Sequence, residues 1–219
     1  MSKDEQKSAS QFWANYGLGG GDSKLNVCFF GAFSNQFDLE TVVDAALILE
    51  SEGIDVRFVL CGTGENLEAL KIRAKGSRSI IFPGWVGRAE IWSLMALSDI
   101  GIAPYKNHIG FLGNLPNKPI EYMAGGLPVL SGLHGYLEEL LETNECGLNY
   151  ELSNPLALRN AIKGLVANRE GISVMSANAQ KLFARHFSAD IVYEGMIAYL
   201  KNVVAMHSRG EGFQGEWPS

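Results

Sequence analysis

The chain has 219 residues, 47% of them hydrophobic and 19% charged, with a formal net charge of -6. That length suits one well-buried domain and is short for two, and the composition is that of an ordinary globule and not of a disordered chain. The acidic balance argues against duplex nucleic acid as the main partner but not against one bound nucleotide. No apolar run reaches the roughly 20 residues of a membrane span, and Met1 to Lys7 lacks the apolar core of a signal peptide, so a cytoplasmic location is expected.

In chain order, residues 1–24 read as a lead-in, with a short helix at Ser8 to Tyr16 and a flexible joint at Gly17-Leu18-Gly19-Gly20-Gly21-Asp22. The folded unit is expected over 25–206. It opens with a strand at Leu25 to Phe30 and a helix from Leu39 to Glu52, whose Leu39, Val42, Val43, Ala46 and Leu47 form one apolar stripe. Asp38 is its N-cap and Gly53 its stop. Next come a strand at Asp55 to Leu60, a helix from Glu65 to Lys75, a strand at Ser79 to Phe82 and a helix from Arg88 to Leu97. The alternation continues with a strand near Ile100, a helix around Pro119 to Ala124, a strand at Leu127 to Leu130, a helix from Leu137 to Glu142 and a strand at Gly147 to Tyr150. Six short strands spaced by helices predict an α/β fold with a parallel sheet covered on both faces. After Pro155 the pattern turns helical at Leu156 to Asn168, Ser173 to Phe187 and Ala189 to Met206, and 207–219 reads as a flexible tail.

In such a sheet ligands sit at the carboxyl ends of the strands, where free helix-start amides can hold phosphate oxygens. Glu121, just inside a helix start, can accept both hydroxyls of a ribose, or it can be a glutamate favoured there only by the helix dipole. Lys118 could neutralise a diphosphate or be a solvated surface cation, and Asn117 is most simply an N-cap, with ligand contact as its other role. In Cys61-Gly62-Thr63-Gly64 and Gly31-Ala32-Phe33-Ser34, glycine would let main chain approach a ligand or let two turns pack tightly. Trp85 and Val86 could grip a planar base, though a packing tryptophan is the equal alternative. His108 lies in the long loop from Tyr105 to Pro116, within reach of a substrate or facing solvent. Ser131 and His134 make a turn and not a hydrolase, for no GxSxG surrounds the serine. The four histidines have no metal-type spacing, and Cys28, Cys61 and Cys146, odd in number and without CxxC, read as reduced core thiols, so no metal is expected.

Five blocks in order, Phe29-Phe30-Gly31, Val59-Leu60-Cys61-Gly62-Thr63-Gly64, Phe82-Pro83-Gly84-Trp85-Val86, Ser98 to Pro104 and Pro116 to Val129, resemble the C-terminal half of family-4 glycosyltransferases over about residues 12 to 205. The resemblance implies one half of a GT-B fold: a Rossmann-like parallel sheet of about six strands with a helical C-terminal segment, binding the nucleotide sugar. The acceptor would be held by an N-terminal domain or a separate subunit. Glu121 matches the glutamate that binds the ribose hydroxyls in this family. The family's first glutamate, which reaches the donor sugar, is replaced by Gly113, and the basic pair that grips the diphosphate by Ala32 and Phe37. Lys118 stands as a substitute cation. Gly31 with Ser34 match the phosphate loop, Trp85 and Val86 the segment flanking the base, and Asn117, Gly62 and Tyr105 complete the donor-binding set.

The resemblance also implies a retaining transfer that needs no cofactor and no catalytic side chain from this half, with a UDP-sugar as the expected donor. The segments Asp38 to Val43 and Leu115 to Pro119 resemble a branch that builds surface polysaccharides, where peripheral membrane association of the full enzyme is compatible with the absence of a span. The rival reading, motivated by the missing glutamate and basic pair, is a non-catalytic partner subunit that keeps the fold and has lost donor binding. A dehydrogenase or an ATP-hydrolysing enzyme is disfavoured, because neither GxGxxG nor a Walker loop is present.

Overall fold

A computed structural model describes residues 2–21 and 23–208. Helix α1 (Lys3–Ala14) starts earlier than the sequence suggests, because Ser2 and Glu5 form a reciprocal capping box ahead of it. Within the lead-in, Trp13 is fully buried and its indole N–H donates to the Glu90 carbonyl at 2.9 Å. Strand β1 (Leu25–Phe30) and helix α2 (Leu39–Ser51) follow as expected. The Asp38 carboxylate accepts from the Thr41 N–H and hydroxyl, and Gly53 follows the helix at φ +70°.

The middle of the chain gives β2 (Val56–Cys61), α3 (Leu67–Arg73), β3 (Ile80–Gly84), α4 (Arg88–Ala96) and β4 (Ile100–Ala103). The loop expected from Tyr105 to Pro116 contains a single helical turn, α5 (Ile109–Leu112), capped by His108, whose ring nitrogen accepts from the Gly110 N–H. Then come α6 (Asn117–Ala124), β5 (Val129–Ser131), α7 (Tyr136–Thr143) and β6 (Gly147–Asn149), followed by α8 (Pro155–Ala167), α9 (Arg169–His186) and α10 (Ala189–Ser208). Helix α6 starts at Asn117 and not at Pro119. A proline in the first turn is tolerated because the N–H it lacks has no partner inside the helix. Of the tail expected over 207–219, His207 and Ser208 belong to α10, and 209–219 lie outside the described residues.

All six strands are parallel, in the order β3-β2-β1-β4-β5-β6. Every residue of β2, β4 and β5 is buried, as strands covered by helices on both faces require. This is the Rossmann-like half of a GT-B fold that the motifs imply. The chain runs outward from β1 through β2 to β3 and then returns to β4 beside β1. The loops after β1 and after β4 therefore diverge and open a crevice at the carboxyl edge. Among the described residues no helix is long and apolar enough to cross a membrane.

Candidate functional site

The crevice is built first from main chain. Gly31, at the end of β1, donates to the Cys61 carbonyl, Phe33 to the Thr63 carbonyl and Gly62 to the Gly84 carbonyl, so three strand ends are laced into one rim. A methyl group on Gly62 would run into the Gly31 carbonyl oxygen, and one on Gly64 into the backbone of Phe33, both at positive φ. At both positions glycine is required for the packing of turns against each other, one of the two roles the sequence left open, and Gly62 also lines the cleft. Gly31 faces inward instead, and a methyl there would strike the Lys118 ammonium.

Together Phe30, Gly31, Ala32, Cys61, Gly62, Thr63, Trp85, Val86, Ile91, Lys118 and Glu121 enclose a cleft of about 400 Å³. Lys118 reaches it from the first turn of α6. Its ammonium stands 5.4 Å from the Phe29 ring centroid and 5.0 Å from that of Phe37, a cation held over two aromatic faces. Burial lowers its pKa from the ordinary lysine value, and the charge of Glu121 pulls the other way. Among the described residues no carboxylate lies within 4 Å of it. The result is a partly desolvated cation with no anion in direct contact, beside backbone of glycine turns.

Of the residues singled out in the sequence, Gly31, Gly62, Trp85, Val86, Lys118 and Glu121 converge on this cleft. Four do not line it. Tyr105 is buried behind it, packed on Phe37 at 4.8 Å and Phe111 at 4.9 Å between ring centroids. Burial raises its phenol to about 12, the Lys118 backbone N–H partly offsetting that, so it braces the start of α6 as a neutral group. Ser34 is half-buried, its carbonyl accepting from Phe37 N–H. Asn117 is exposed and is the first residue of α6, not its N-cap: Pro116 holds that place, its fixed φ of -65° suiting the entry. Gly113 is exposed, with open space where a side chain would stand.

Trp85 is 76% exposed and lines the cleft as a free indole, so it is no packing tryptophan. It also borders a second cavity of about 470 Å³, which shares Phe30, Trp85, Val86, Ile91 and Glu121 with the first and adds Gly87, Arg88, Trp92, Met95 and Ala124. Glu121 thus lies between a lobe of glycine backbone and lysine and a lobe of tryptophan and aliphatic side chains. The second lobe was missed in the sequence, although Arg88, Ile91, Trp92 and Met95 recur at the i, i+3, i+4, i+7 spacing of one helix face.

Other groups have structural roles. Cys28, Cys61 and Cys146 are buried free thiols. Burial pushes Cys28 to about 12, Cys146 to about 11 and Cys61 higher still, leaving none as a thiolate nucleophile. The Ser131 hydroxyl donates to the Ala103 carbonyl and accepts from Leu133 N–H, and His134 pairs with Glu138 at 3.1 Å, so the two share no catalytic hydrogen bond.

The family model described as glycosyl transferases group 1 matches residues 24–168. The chain is 26% identical over 129 residues to the UDP-glycosyltransferase TURAN of Arabidopsis thaliana, a match covering 57% of this chain and 27% of that protein. The chain therefore spans about a quarter of the curated relative it matches. Among solved structures, Alr3699/HepE of Anabaena in complex with UDP-glucose superposes with a TM-score of 0.68 at 20% identity, covering 92% of this chain and 54% of that one. The C-terminal domain of the group 1 family protein LpcC of Francisella tularensis gives 0.64 at 19%, covering 82% and 92%. Sucrose-phosphate synthase of Thermosynechococcus elongatus gives 0.72 at 19%, covering 90% and 49%.

Proposed function

Because the chain belongs to the glycosyl transferases group 1 family, we propose that it is the donor-binding half of a retaining glycosyltransferase, taking a nucleoside-diphosphate sugar with a UDP-sugar as the first candidate. The observation that carries this reading is the position of Glu121 between two unlike lobes. With its carboxylate accepting the ribose hydroxyls, the diphosphate falls on the side of Gly31, Gly62 and Lys118 and the base on the side of Trp85 and Val86.

Chemically, the glycine backbone and the Lys118 ammonium stabilise the charge that builds on the diphosphate as it leaves the sugar. The cation supplies in space what the family's basic pair, here Ala32 and Phe37, would have supplied: its ammonium sits over the Phe37 ring itself. Gly113 has no side chain to offer the sugar hydroxyls, so on this reading the donor sugar is held by fewer side chains than in the family pattern. Acceptor binding falls to an N-terminal domain or separate subunit, and a cytoplasmic place in surface polysaccharide synthesis is the setting this reading implies. HepE in complex with UDP-glucose supports the donor class.

Calorimetric titration of UDP, GDP and ADP into the chain and into Glu121→Ala tests the proposal. Selective binding lost in the variant is the expected result. A folded protein that binds none of the three would instead favour the partner subunit without a donor site, which the exposed Gly113 and Ala32 positions would then explain.

A further inference from the structure

A lysine carries its charge on a flexible stem, and Lys118 is held at the glycine rim without being neutralised. A carboxylate would fix the ammonium and cancel it at the same time, but among the described residues none lies within 4 Å. Two buried rings do the holding instead, with the Phe29 centroid at 5.4 Å and the Phe37 centroid at 5.0 Å from the ammonium. A ring face attracts a cation through its quadrupole and has no net charge of its own. The full positive charge is therefore left for an anion in the cleft.

Of the two rings, Phe29 sits in β1, whereas Phe37 belongs to the connection between β1 and α2 and is pinned there from both sides. Lys106 N–H donates to the Gln36 carbonyl at 2.9 Å, and Asp38 N–H to the Pro104 carbonyl at 2.7 Å. The Phe37 ring packs on Phe29 at 5.2 Å and on Tyr105 at 4.8 Å between centroids. The Tyr105 hydroxyl in turn accepts from the Lys118 main-chain N–H. One aromatic group thus holds the lysine at its backbone, and the ring packed against it holds the lysine at its head. We propose that Phe37 is a positioning residue for Lys118, its ring face fixing the ammonium at the glycine rim with the charge uncancelled. That this charge meets a diphosphate rests on the donor reading; the contact with the ring does not.

Trifluorophenylalanine in place of Phe37 tests the proposal, because fluorine removes the negative potential of the ring face and nearly keeps the ring's shape. The Lys118 side chain is titrated by NMR in wild type and in the fluorinated protein, its signal identified by its loss in Lys118→Met. The titratable groups facing the ammonium, Glu121 on α6, the Tyr105 phenol and the Cys61 thiol, are common to both proteins. Loss of the attraction to a desolvated cation should lower the Lys118 pKa by about one pH unit. The same replacement at Phe33, which packs on Phe29 at 5.9 Å and is not one of the two rings over the ammonium, should leave it unchanged. The pH at which UDP affinity falls should move down with the pKa, while uridine affinity holds. An unchanged Lys118 pKa, or an equal shift from position 33, overturns the proposal. A shift from position 37 alone, in a folded protein that binds no UDP, upholds the positioning contact and overturns the donor reading.

Discussion

Where Gly31 and Gly62 meet, the cleft is made of main chain that the fold itself needs; where Trp85, Arg88 and Trp92 meet, it is made of side chains that stand partly in solvent. The first lobe is laced by hydrogen bonds among three strand ends and admits no added carbon at Gly62 or Gly64. The second is a helix face, buried at Met95 and part-exposed at Trp92, under an indole, Trp85, that stays largely open to solvent. On the proposed donor reading, folding and phosphate binding would be tied to the same atoms, whereas recognition of the base could change without disturbing the sheet.

Substitutions on the two sides should therefore fail in different ways. The largest effect is expected from Gly62→Ala, because the methyl meets the Gly31 carbonyl on a backbone at φ +139°. A loss of about 3 kcal/mol or more is expected, read as a lower urea midpoint, and a variant as stable as wild type would break the claim that this lobe belongs to the fold. Lys118→Met comes next. It should keep its unfolding midpoint and lose UDP affinity by about 10- to 100-fold while uridine binding changes little, the signature of a lost charge-assisted contact.

Trp85→Ala should weaken UDP by roughly 5- to 20-fold through lost stacking, with no change in stability, since so little of the indole is buried. The smallest effect is in pH dependence. Burial holds the Lys118 ammonium below the ordinary lysine pKa. Diphosphate affinity should be full below that lowered pKa and decline as pH rises through it, before an exposed lysine titrates. The free fold has the opposite slope: in that window the unfolded chain binds the extra proton, so stability rises with pH. Both slopes should vanish in Lys118→Met, and parallel titration and unfolding series between neutral and alkaline pH would show it.

The fold was legible because its signals are local. Asp38 and Gly53 bracket α2 within its own stretch, and the apolar runs of β1, β2 and β4 need no partner to be recognised as strands. Helix α5 was invisible, since four residues cannot display a helical period. At Asn117 a good capping residue lost to the proline before it, whose fixed φ set the helix entry one residue sooner. Where a residue type suggested chemistry, as at Glu121 and Lys118, the fold brings the residues to one cleft. Exposure was not legible: nothing local to Trp85 says whether another element covers it. Likewise the stripe from Arg88 to Met95 can be read as a face, but only the packing of α1 on α4 and the placing of Glu121 and Ala124 across the cavity decide that it borders the cleft.

Helix α10 shows what an element without such anchoring becomes. None of its twenty residues is buried, while Ile191, Val192, Met196 and Tyr199 border an open groove with α7 and α9. A helix of this length is marginal by itself, and here burial adds little to its cooperativity. It can melt as a separate unit while β1 to β6 stay paired. Amide exchange and proteolytic nicking should therefore begin in α10, at a free energy far below that of global unfolding.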